Sequence, residues 1–223
     1  GTVPLDRLAA KIKPDDPHFA ITRLLCLEDT HHGRSVPPGF LADARAFARS
    51  HGLAVHLDGA RLANAAVAEG VELSELAVTA DSVSLCFSKG LGAPAGSVIA
   101  GSGELIARAR RWRKMLGGAM RQSGVLAAAA LWALEHNVDR LADDHRHAQE
   151  LAEGLRSMGL EVQAFTNMVF ASVGDRDPAA VAQSLAAQEV VVLPGRVLRL
   201  VTHLDVNDQD IAAALAAFDR TLA

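Results

Sequence analysis

The sequence predicts an α/β fold, with a largely parallel sheet followed by a smaller α+β domain. Over residues 22–101, apolar strand patterns alternate with helical patterns, as in chains whose strands run parallel. Asp58 and Lys89 lie at the carboxyl ends of two of these strand patterns, where ligands bind to parallel sheets. The last third of the chain changes to short strands with two helices. We therefore expect two domains, residues 1–136 and residues 137–223.

The first domain is predicted to hold four strands and three helices before a long helical stretch. Glycine and polar residues bound the strands, and the apolar spacing within the helices is typical of helices with one buried face. In chain order, the predicted elements are helix 4–13, strand 22–28, helix 40–51, strand 53–59, helix 60–70, strand 82–88 and strand 96–101.

Residues 103–157 are predicted to be helical, with breaks near Gly117, Gly118 and Asn137. Residues 124–134 are the longest strongly apolar run, which is too short to span a bilayer and is typical of a buried helix. The second domain alternates short strands with helices. Its predicted elements are strands 160–165, 167–173, 190–193 and 197–201 and helices 178–188 and 207–222.

The composition indicates a globular protein with small-molecule partners. Of its 223 residues, 50% are hydrophobic and 22% are charged, so the chain can bury a sizeable core. A formal net charge of −4 gives no electrostatic basis for binding nucleic acid or an anionic membrane. Cys26 and Cys86 fall within predicted strands, where we expect small buried thiols and a reducing, cytoplasmic location. No metal site is expected, because the acids and histidines of residues 143–147 point to different faces of one helix.

A lysine and a carboxylate at two strand ends point to chemistry. Lys89 leaves an apolar strand and enters a glycine-rich turn, and burial of such an amine would make it a nucleophile. Asp58 ends another strand and is followed by Arg61. Pyridoxal phosphate requires a lysine that bonds to it and a carboxylate that keeps its pyridine nitrogen protonated. Simpler alternatives exist, because Lys89 can extend into solvent and Asp58 can pair with Arg61.

The glycine-rich turn has a second interpretation as a dinucleotide-binding loop. That motif requires its glycines to open a helix after a strand. Here residues 90–96 contain Pro94 and are followed by another apolar strand, which argues against a nucleotide-binding domain.

Several motifs occur in the order found in one enzyme family. They are HLDGAR (56–61), SKGLGAPAGS (88–97), RRWRKMLGGAMRQSG (110–124), TNMVF (166–170) and RLVTHLDV (199–206). Together with KIKPDDPHF near the start, they resemble the low-specificity threonine aldolases of the β-eliminating lyase group. The resemblance implies the aspartate-aminotransferase-like fold of type I pyridoxal-phosphate enzymes, with part of the large cofactor-binding domain and the small C-terminal domain present.

The resemblance implies roles for four residues around the cofactor. Lys89 would form the covalent bond to pyridoxal phosphate, and Asp58 would hold the pyridine nitrogen. Arg61 would lie near the ring hydroxyl and the substrate carboxylate, and Ser88 near the lysine and the phosphate. These residues would make the ring an acceptor for the electrons released at the substrate Cα.

Four further residues are implied in substrate binding and assembly. Arg199 would bind the substrate carboxylate, although a surface salt bridge is an alternative. His18 would take the β-hydroxyl proton, although a solvated loop histidine is an alternative. Lys114 and Arg121 would reach the phosphate of a neighbouring subunit, so we expect a homo-oligomer, a dimer of dimers.

Two departures from the family pattern affect the expected site. The family usually has Glu-Asn-Thr-His-Asn where residues 28–32 have Asp29 and His32, and an added negative charge would weaken hydrogen bonding near the cofactor. The chain also lacks the family's N-terminal segment, which carries a phosphate-binding Gly-Thr and a histidine that stacks on the ring. We therefore expect a fragment of a longer enzyme or a shortened relative.

The function that the resemblance implies is cleavage of L-threonine or L-allo-threonine to glycine and acetaldehyde. The substrate would be a small β-hydroxy amino acid, and the cofactor pyridoxal phosphate. The alternatives are a related pyridoxal-phosphate lyase or aminotransferase, and a catalytically inactive fragment that still dimerises.

Overall fold

The computed structural model describes residues 2–222, and the chain divides into two compact units, residues 1–138 and residues 139–223. The first unit holds a four-stranded sheet, and the second holds a three-stranded sheet. Among the described residues, no helix is both long and apolar enough to cross a membrane. In the same residues, no group of three or more His, Cys, Asp or Glu side chains is placed to hold a metal ion.

The helices of the first unit begin and end where local chemistry favours it. Helix α2 starts at Pro38, a residue that fits the first helical turn, and α3 ends at Gly70 in the left-handed conformation. Helix α4 was not expected from the sequence. The elements are α1 (Leu5–Ala9), β1 (Leu24–Glu28), α2 (Pro38–Ser50), β2 (Ala54–Asp58), α3 (Leu62–Glu69), α4 (Leu73–Ala77), β3 (Ser82–Cys86), β4 (Ser97–Gly101), α5 (Gly103–Met115) and α6 (Gly124–His136).

The four strands pair in sequence order, β1-β2-β3-β4. Strands β1, β2 and β3 are parallel, and β4 runs antiparallel to β3. The register aligns Glu28 with Asp58 and Asp58 with Ser84. The carboxyl ends of the parallel strands therefore meet at one edge of the sheet, as the sequence predicts.

The two faces of this sheet differ in burial. Leu25 and Val55 pack with Ala44 and Ala48 of α2 in a buried cluster. Neighbouring strand residues point to the opposite face, and there Cys26 is exposed and Cys86 is only half-buried. The prediction of two buried thiols is therefore wrong, because both cysteines lie on the open face.

Helices α5 and α6 lie largely exposed. The expected burial of residues 124–134 is wrong, because Ala133 is the only buried residue recorded in α6, while Leu131 and Trp132 are 58% and 62% exposed. Helix α5 has no buried residue and carries four arginines and one lysine within residues 108–114. The chain thus has a local cationic surface that its net charge of −4 does not reveal.

The second unit packs three helices around an antiparallel sheet of order β5-β6-β7. Its core is apolar and includes Leu155, Val169, Leu198 and Phe218. The elements are α7 (Leu141–Ser157), β5 (Val162–Phe165), β6 (Met168–Ser172), α8 (Pro178–Ala186), β7 (Val197–Val201) and α9 (Asp208–Leu222).

One predicted strand of this unit, residues 190–193, is not a strand. Its first residue, Val190, donates its N–H to the Leu185 carbonyl at the end of α8. Pro194 has no N–H to offer to a ladder, and Val191 and Leu193 are 86% and 85% exposed. The β-branched residues therefore predicted a strand wrongly, because the chain at this point ends α8 and continues without forming a strand.

Candidate active site

The carboxyl edge of the first sheet brings together four of the predicted cofactor residues, Asp58, Arg61, Ser88 and Lys89. Asp58 is the last residue of β2, and Ser88 and Lys89 follow the end of β3, the next strand in the sheet. Arg61 stands at the start of α3, three residues after Asp58. The parallel pairing of β2 with β3 therefore places a carboxylate and an amine at the same edge.

Neutral groups hold the Asp58 carboxylate. Its Oδ1 accepts hydrogen bonds from the Ala60 N–H at 3.1 Å and from the Ser84 hydroxyl at 3.3 Å. Within residues 2–222, Asp58 forms no salt bridge with Arg61 or any other cation. The alternative in which Asp58 and Arg61 neutralise each other is therefore not the arrangement of this chain.

Gly59 allows the backbone to turn closely past β3. A Cβ atom at this position would lie 2.7 Å from the Ser84 carbonyl oxygen and 3.0 Å from the Cβ of Leu62. Only glycine fits without displacing backbone. The tight passage sets the direction in which the chain leaves Asp58 and enters α3.

The loop between β3 and β4 presents Ser88 and Lys89 to solvent. Buried Phe87 fixes both ends of the loop, since its N–H donates to the Gly96 carbonyl and its own carbonyl accepts from Ala93. The Gly92 N–H donates to the Lys89 carbonyl at 2.9 Å, which closes a tight turn. Lys89 is exposed, which agrees with the alternative in which its side chain extends into solvent.

The cationic candidates share one property. None of them forms a salt bridge to a carboxylate within the described part of the chain, and all but half-buried Arg61 are exposed. The surface-salt-bridge alternative for Arg199 is therefore not observed. These unpaired cations are Arg61, Lys89, Lys114, Arg121 and Arg199.

Arg199 lies in the second unit, on the exposed side of β7. It lines a groove of about 620 Å³ together with apolar side chains such as Val191 and Val201, with His203, and with the acidic residues Glu189 and Asp210. The guanidinium suits a carboxylate, and the two acids give the same groove charges of the opposite sign.

Among the described residues, the hydrogen bonds of His18 connect it to Asp16 and not to the other site candidates. Its ring Nδ1 and its backbone N–H both approach Asp16 Oδ1, each at 2.8 Å. The backbone hydrogen bond, followed by the ring contact, lowers the pKa of Asp16. The His18 side chain is 87% exposed, and no hydrogen bond joins it to another candidate among residues 2–222.

Asp29 is the residue of this edge to which sequence reasoning gave no role. It follows β1, is fully buried, and donates its backbone N–H to the Asp58 carbonyl at 3.0 Å. Its Oδ1 accepts the Val36 N–H at 3.0 Å, while its Oδ2 has no hydrogen-bond partner within residues 2–222. Burial raises the pKa of Asp29 to about 6, and the charge of Glu69 adds to the rise. The departure from asparagine at this position was the signal in the sequence.

Comparison with known proteins decides the family. The family model described as beta-eliminating lyase matches residues 1–175. This chain belongs to the β-eliminating lyase family. The sequence resemblance is thereby confirmed, and the β-eliminating lyases are a pyridoxal-phosphate-dependent family.

Named relatives of this β-eliminating lyase are threonine aldolases. It is 50% identical over 224 residues to the low specificity L-threonine aldolase of Escherichia coli K12, covering 100% of this chain and 67% of that protein. It is 42% identical over 235 residues to a probable low-specificity L-threonine aldolase 2 of Arabidopsis thaliana, covering 99% of this chain and 66% of the relative. The chain thus spans about two thirds of the length of these relatives.

Solved structures confirm the fold. The threonine aldolase of Leishmania major superimposes with a TM-score of 0.82 at 20% identity, over 100% of this β-eliminating lyase chain and 68% of that one. Aspartate aminotransferase of Thermus thermophilus superimposes with a TM-score of 0.70 at 18% identity, over 98% and 60% of the two chains. The expected aspartate-aminotransferase-like fold is therefore correct.

The donor set at the sheet edge fits pyridoxal phosphate. A pyridinium nitrogen needs an uncompensated carboxylate, which Asp58 offers, and the aldehyde carbon needs a free amine, which Lys89 offers. The phosphate and a substrate carboxylate need unpaired cations, and the candidate arginines and lysines have no carboxylate partner in the described residues. Each charged part of the cofactor thus has a chemically matched group.

Proposed function

We propose that this chain carries the pyridoxal-phosphate site of an aldolase that cleaves L-threonine and L-allo-threonine to glycine and acetaldehyde. The observation that carries the proposal is that the Asp58 carboxylate and the Lys89 amine lie at the same sheet edge and form no salt bridge within residues 2–222. The names of the relatives at 50% and 42% identity support the substrate class. Residues 1–136 would be the C-terminal part of the large domain, and residues 137–223 the small domain.

Asp58 and Lys89 would bind and orient the cofactor. Lys89 would hold the cofactor through a covalent bond from its amine. Asp58 would keep a proton on the pyridine nitrogen, and its hydrogen bonds to Ser84 and Ala60 would fix the direction of the carboxylate. The bound cofactor supplies an electron-poor ring that stabilises negative charge at the substrate Cα. Ser88 would contact the phosphate and limit the movement of Lys89.

Three further side chains would bind the substrate and move its proton. Arg61 and Arg199 would hold the carboxylate through paired N–H donors. His18 would take the β-hydroxyl proton as the Cα–Cβ bond breaks and acetaldehyde leaves, after which protonation of Cα gives glycine. His18 must release its contact with Asp16 for this role, since both involve the imidazole.

Lys114 and Arg121 support a proposal that the site is shared between copies of the chain. Both are exposed and unpaired in the described residues, and they flank the apolar turn that contains Leu116 and Met120. We propose a homo-oligomer, a dimer of dimers, in which these two cations approach the phosphate of a neighbouring subunit. A cytoplasmic location belongs to the same proposal.

The first test is the visible absorption of the chain after incubation with pyridoxal phosphate and desalting. We expect the unaltered chain to retain a visible band and Lys89→Ala to lose it, because the lysine provides the covalent bond. Lys11→Ala is the matched control, since Lys11 is an exposed lysine near α1. It should keep the band.

A chain that retains the band is then assayed for acetaldehyde released from L-threonine, without an added amino acceptor. Release supports the aldolase, whereas dependence on an acceptor would indicate an aminotransferase. Loss of the band from the unaltered chain would refute the proposed activity for this chain and favour the dimerising fragment.

A further inference from the structure

Asp29 joins three parts of the candidate site. It follows β1 directly, and its backbone N–H binds the carbonyl of Asp58, the residue proposed to hold the cofactor. Its side chain reaches across the following loop to the Val36 N–H. One buried residue thus connects the end of β1, the end of β2 and the far side of the loop of residues 29–36.

The two oxygens of the Asp29 carboxyl are in different situations. Oδ1 has a donor at 3.0 Å, while Oδ2 is buried without a hydrogen-bond partner in the described residues. Burying a negatively charged oxygen that receives no hydrogen bond is unfavourable. A protonated carboxyl places an uncharged O–H group at the same position, which costs less. The hydroxyl of Thr30, the next residue, is also buried without a partner. The hydrogen bond from Val36 favours the ionised form, but the burial of the carboxyl outweighs it, so the neutral form of Asp29 is favoured.

The charge of Glu69 favours the same form. On α3, Glu69 opposes a negative charge on Asp29 and is held towards the loop by the Ser35 hydroxyl. The Glu28 carboxylate is hydrogen-bonded to the His31 ring, and Arg34 is exposed. The titratable or charged groups near Asp29 are Glu28 on β1, Asp58 on β2, Glu69 on α3, and His31, His32 and Arg34 in the loop. Of these groups, Glu69 raises the pKa of Asp29 through its negative charge.

We propose that Asp29 is a proton-sensitive positioning residue, which fastens the 29–36 loop beside Asp58 when protonated and loosens it when ionised. The proposal rests on the proposed function, because it gives the loop a part in the cofactor site. Asp29 touches no reacting atom and acts through the placement of Asp58 and the loop. An asparagine would keep the acceptor for Val36 and remove the titration.

The first experiment measures amide hydrogen exchange of the loop in the chain without cofactor. Asp29→Ala removes the acceptor, and we expect exchange of the Val36 amide to rise at least about tenfold relative to Asp29→Asn. The unaltered chain should match Asp29→Asn near about pH 5 and exchange faster than it near about pH 8, after correction for intrinsic exchange. Asp43→Asn, which removes an exposed acid from α2, should behave as the unaltered chain at both pH values.

The second experiment measures the affinity of the same four proteins for pyridoxal phosphate by their visible absorption. The ratio of the affinity of the unaltered chain to that of Asp29→Asn should fall several-fold as the pH rises through about 6. Rescue by asparagine but not by alanine separates positioning from simple loss of packing.

The outcomes distinguish the two proposals. If no protein retains the cofactor, the proposed function fails, and exchange at Val36 still decides whether Asp29 fastens the loop. If the cofactor binds but the exchange and affinity of Asp29→Asn track those of the unaltered chain at every pH, the positioning role is wrong.

Discussion

The substitution Asp29→Asn makes a quantitative prediction for the stability of the first unit. Burial raises the pKa of Asp29 from its ordinary 3.8 to about 6. The folded state therefore binds this proton about a hundredfold more tightly than the unfolded state, which corresponds to about 3 kcal/mol at about 1.4 kcal/mol for each tenfold. Because the folded state holds more protons, the free energy of unfolding falls as the pH rises from 3.8 through about 6.

The effect appears as a difference between two pH values. Between about pH 7.5 and about pH 4.5 the unaltered chain should gain about 2 kcal/mol relative to Asp29→Asn, and the remainder follows only as the pH falls below 3.8. At about pH 7.5 asparagine avoids the buried charge, although its amide group takes the unpartnered position of Oδ2 and costs about 1–3 kcal/mol. This cost is the same at both pH values, so the prediction concerns the change in the free energy of unfolding between them.

Urea denaturation followed by tryptophan fluorescence measures this difference directly. Both tryptophans of the chain, Trp112 and Trp132, lie in the first unit, so their emission reports the unit that contains Asp29. Asp43→Asn serves as the control for removing an exposed acid, and its difference from the unaltered chain should not vary with pH. A difference for Asp29→Asn that stays constant within about 0.5 kcal/mol over this pH range would refute the reasoning.

Two further substitutions test the packing around each unit. Gly59→Ala places a Cβ 2.7 Å from the Ser84 carbonyl and should cost about 1–3 kcal/mol by the same fluorescence assay, whereas Gly39→Ala, with no atom within 4 Å, should cost little. Asp144→Ala leaves the partly buried Arg140 without its 2.7 Å partner and should lower the free energy of unfolding of the second unit by about 3–5 kcal/mol. Far-ultraviolet circular dichroism measures this loss. Asp143→Ala, at the exposed neighbouring position, should have an effect below about 0.5 kcal/mol, and an equal loss in both aspartate variants would contradict the assignment.

The succession of strands and helices along the chain and the site edge followed from the sequence because the signals were local and strong. The apolar runs before Asp58 and Lys89 are bounded by glycine and polar residues, so their ends were predictable to within about three residues. Parallel pairing then requires both ends to meet at one edge. The family motifs added residue roles that spacing alone would not supply.

Burial was harder to predict because it depends on what covers a surface. The alternation of β1 shows that Leu25 and Cys26 face opposite sides, but not which side is covered. The apolar composition of α6 likewise suggests burial, yet Leu131 and Trp132 are exposed. The unpartnered Oδ2 of Asp29 depends on loop geometry, which the sequence indicates only through an unusual residue at that position.

The arginine and lysine candidates of the site form no ion pairs within the described residues, and this has an energetic explanation. An exposed salt bridge contributes only about 0–1 kcal/mol, so leaving Lys89 and Arg199 unpaired costs the folded chain little. A carboxylate paired with either cation would have to be displaced before an anionic cofactor or substrate could bind. The Asp58 carboxylate is likewise not neutralised by an ion pair within the described residues. Ser84 and Ala60 orient it through neutral hydrogen-bond donors, so its negative charge remains available to a ligand. Groups that are oriented but not neutralised bind a charged ligand without first breaking an existing pair, and this is the property that the proposed cofactor site requires.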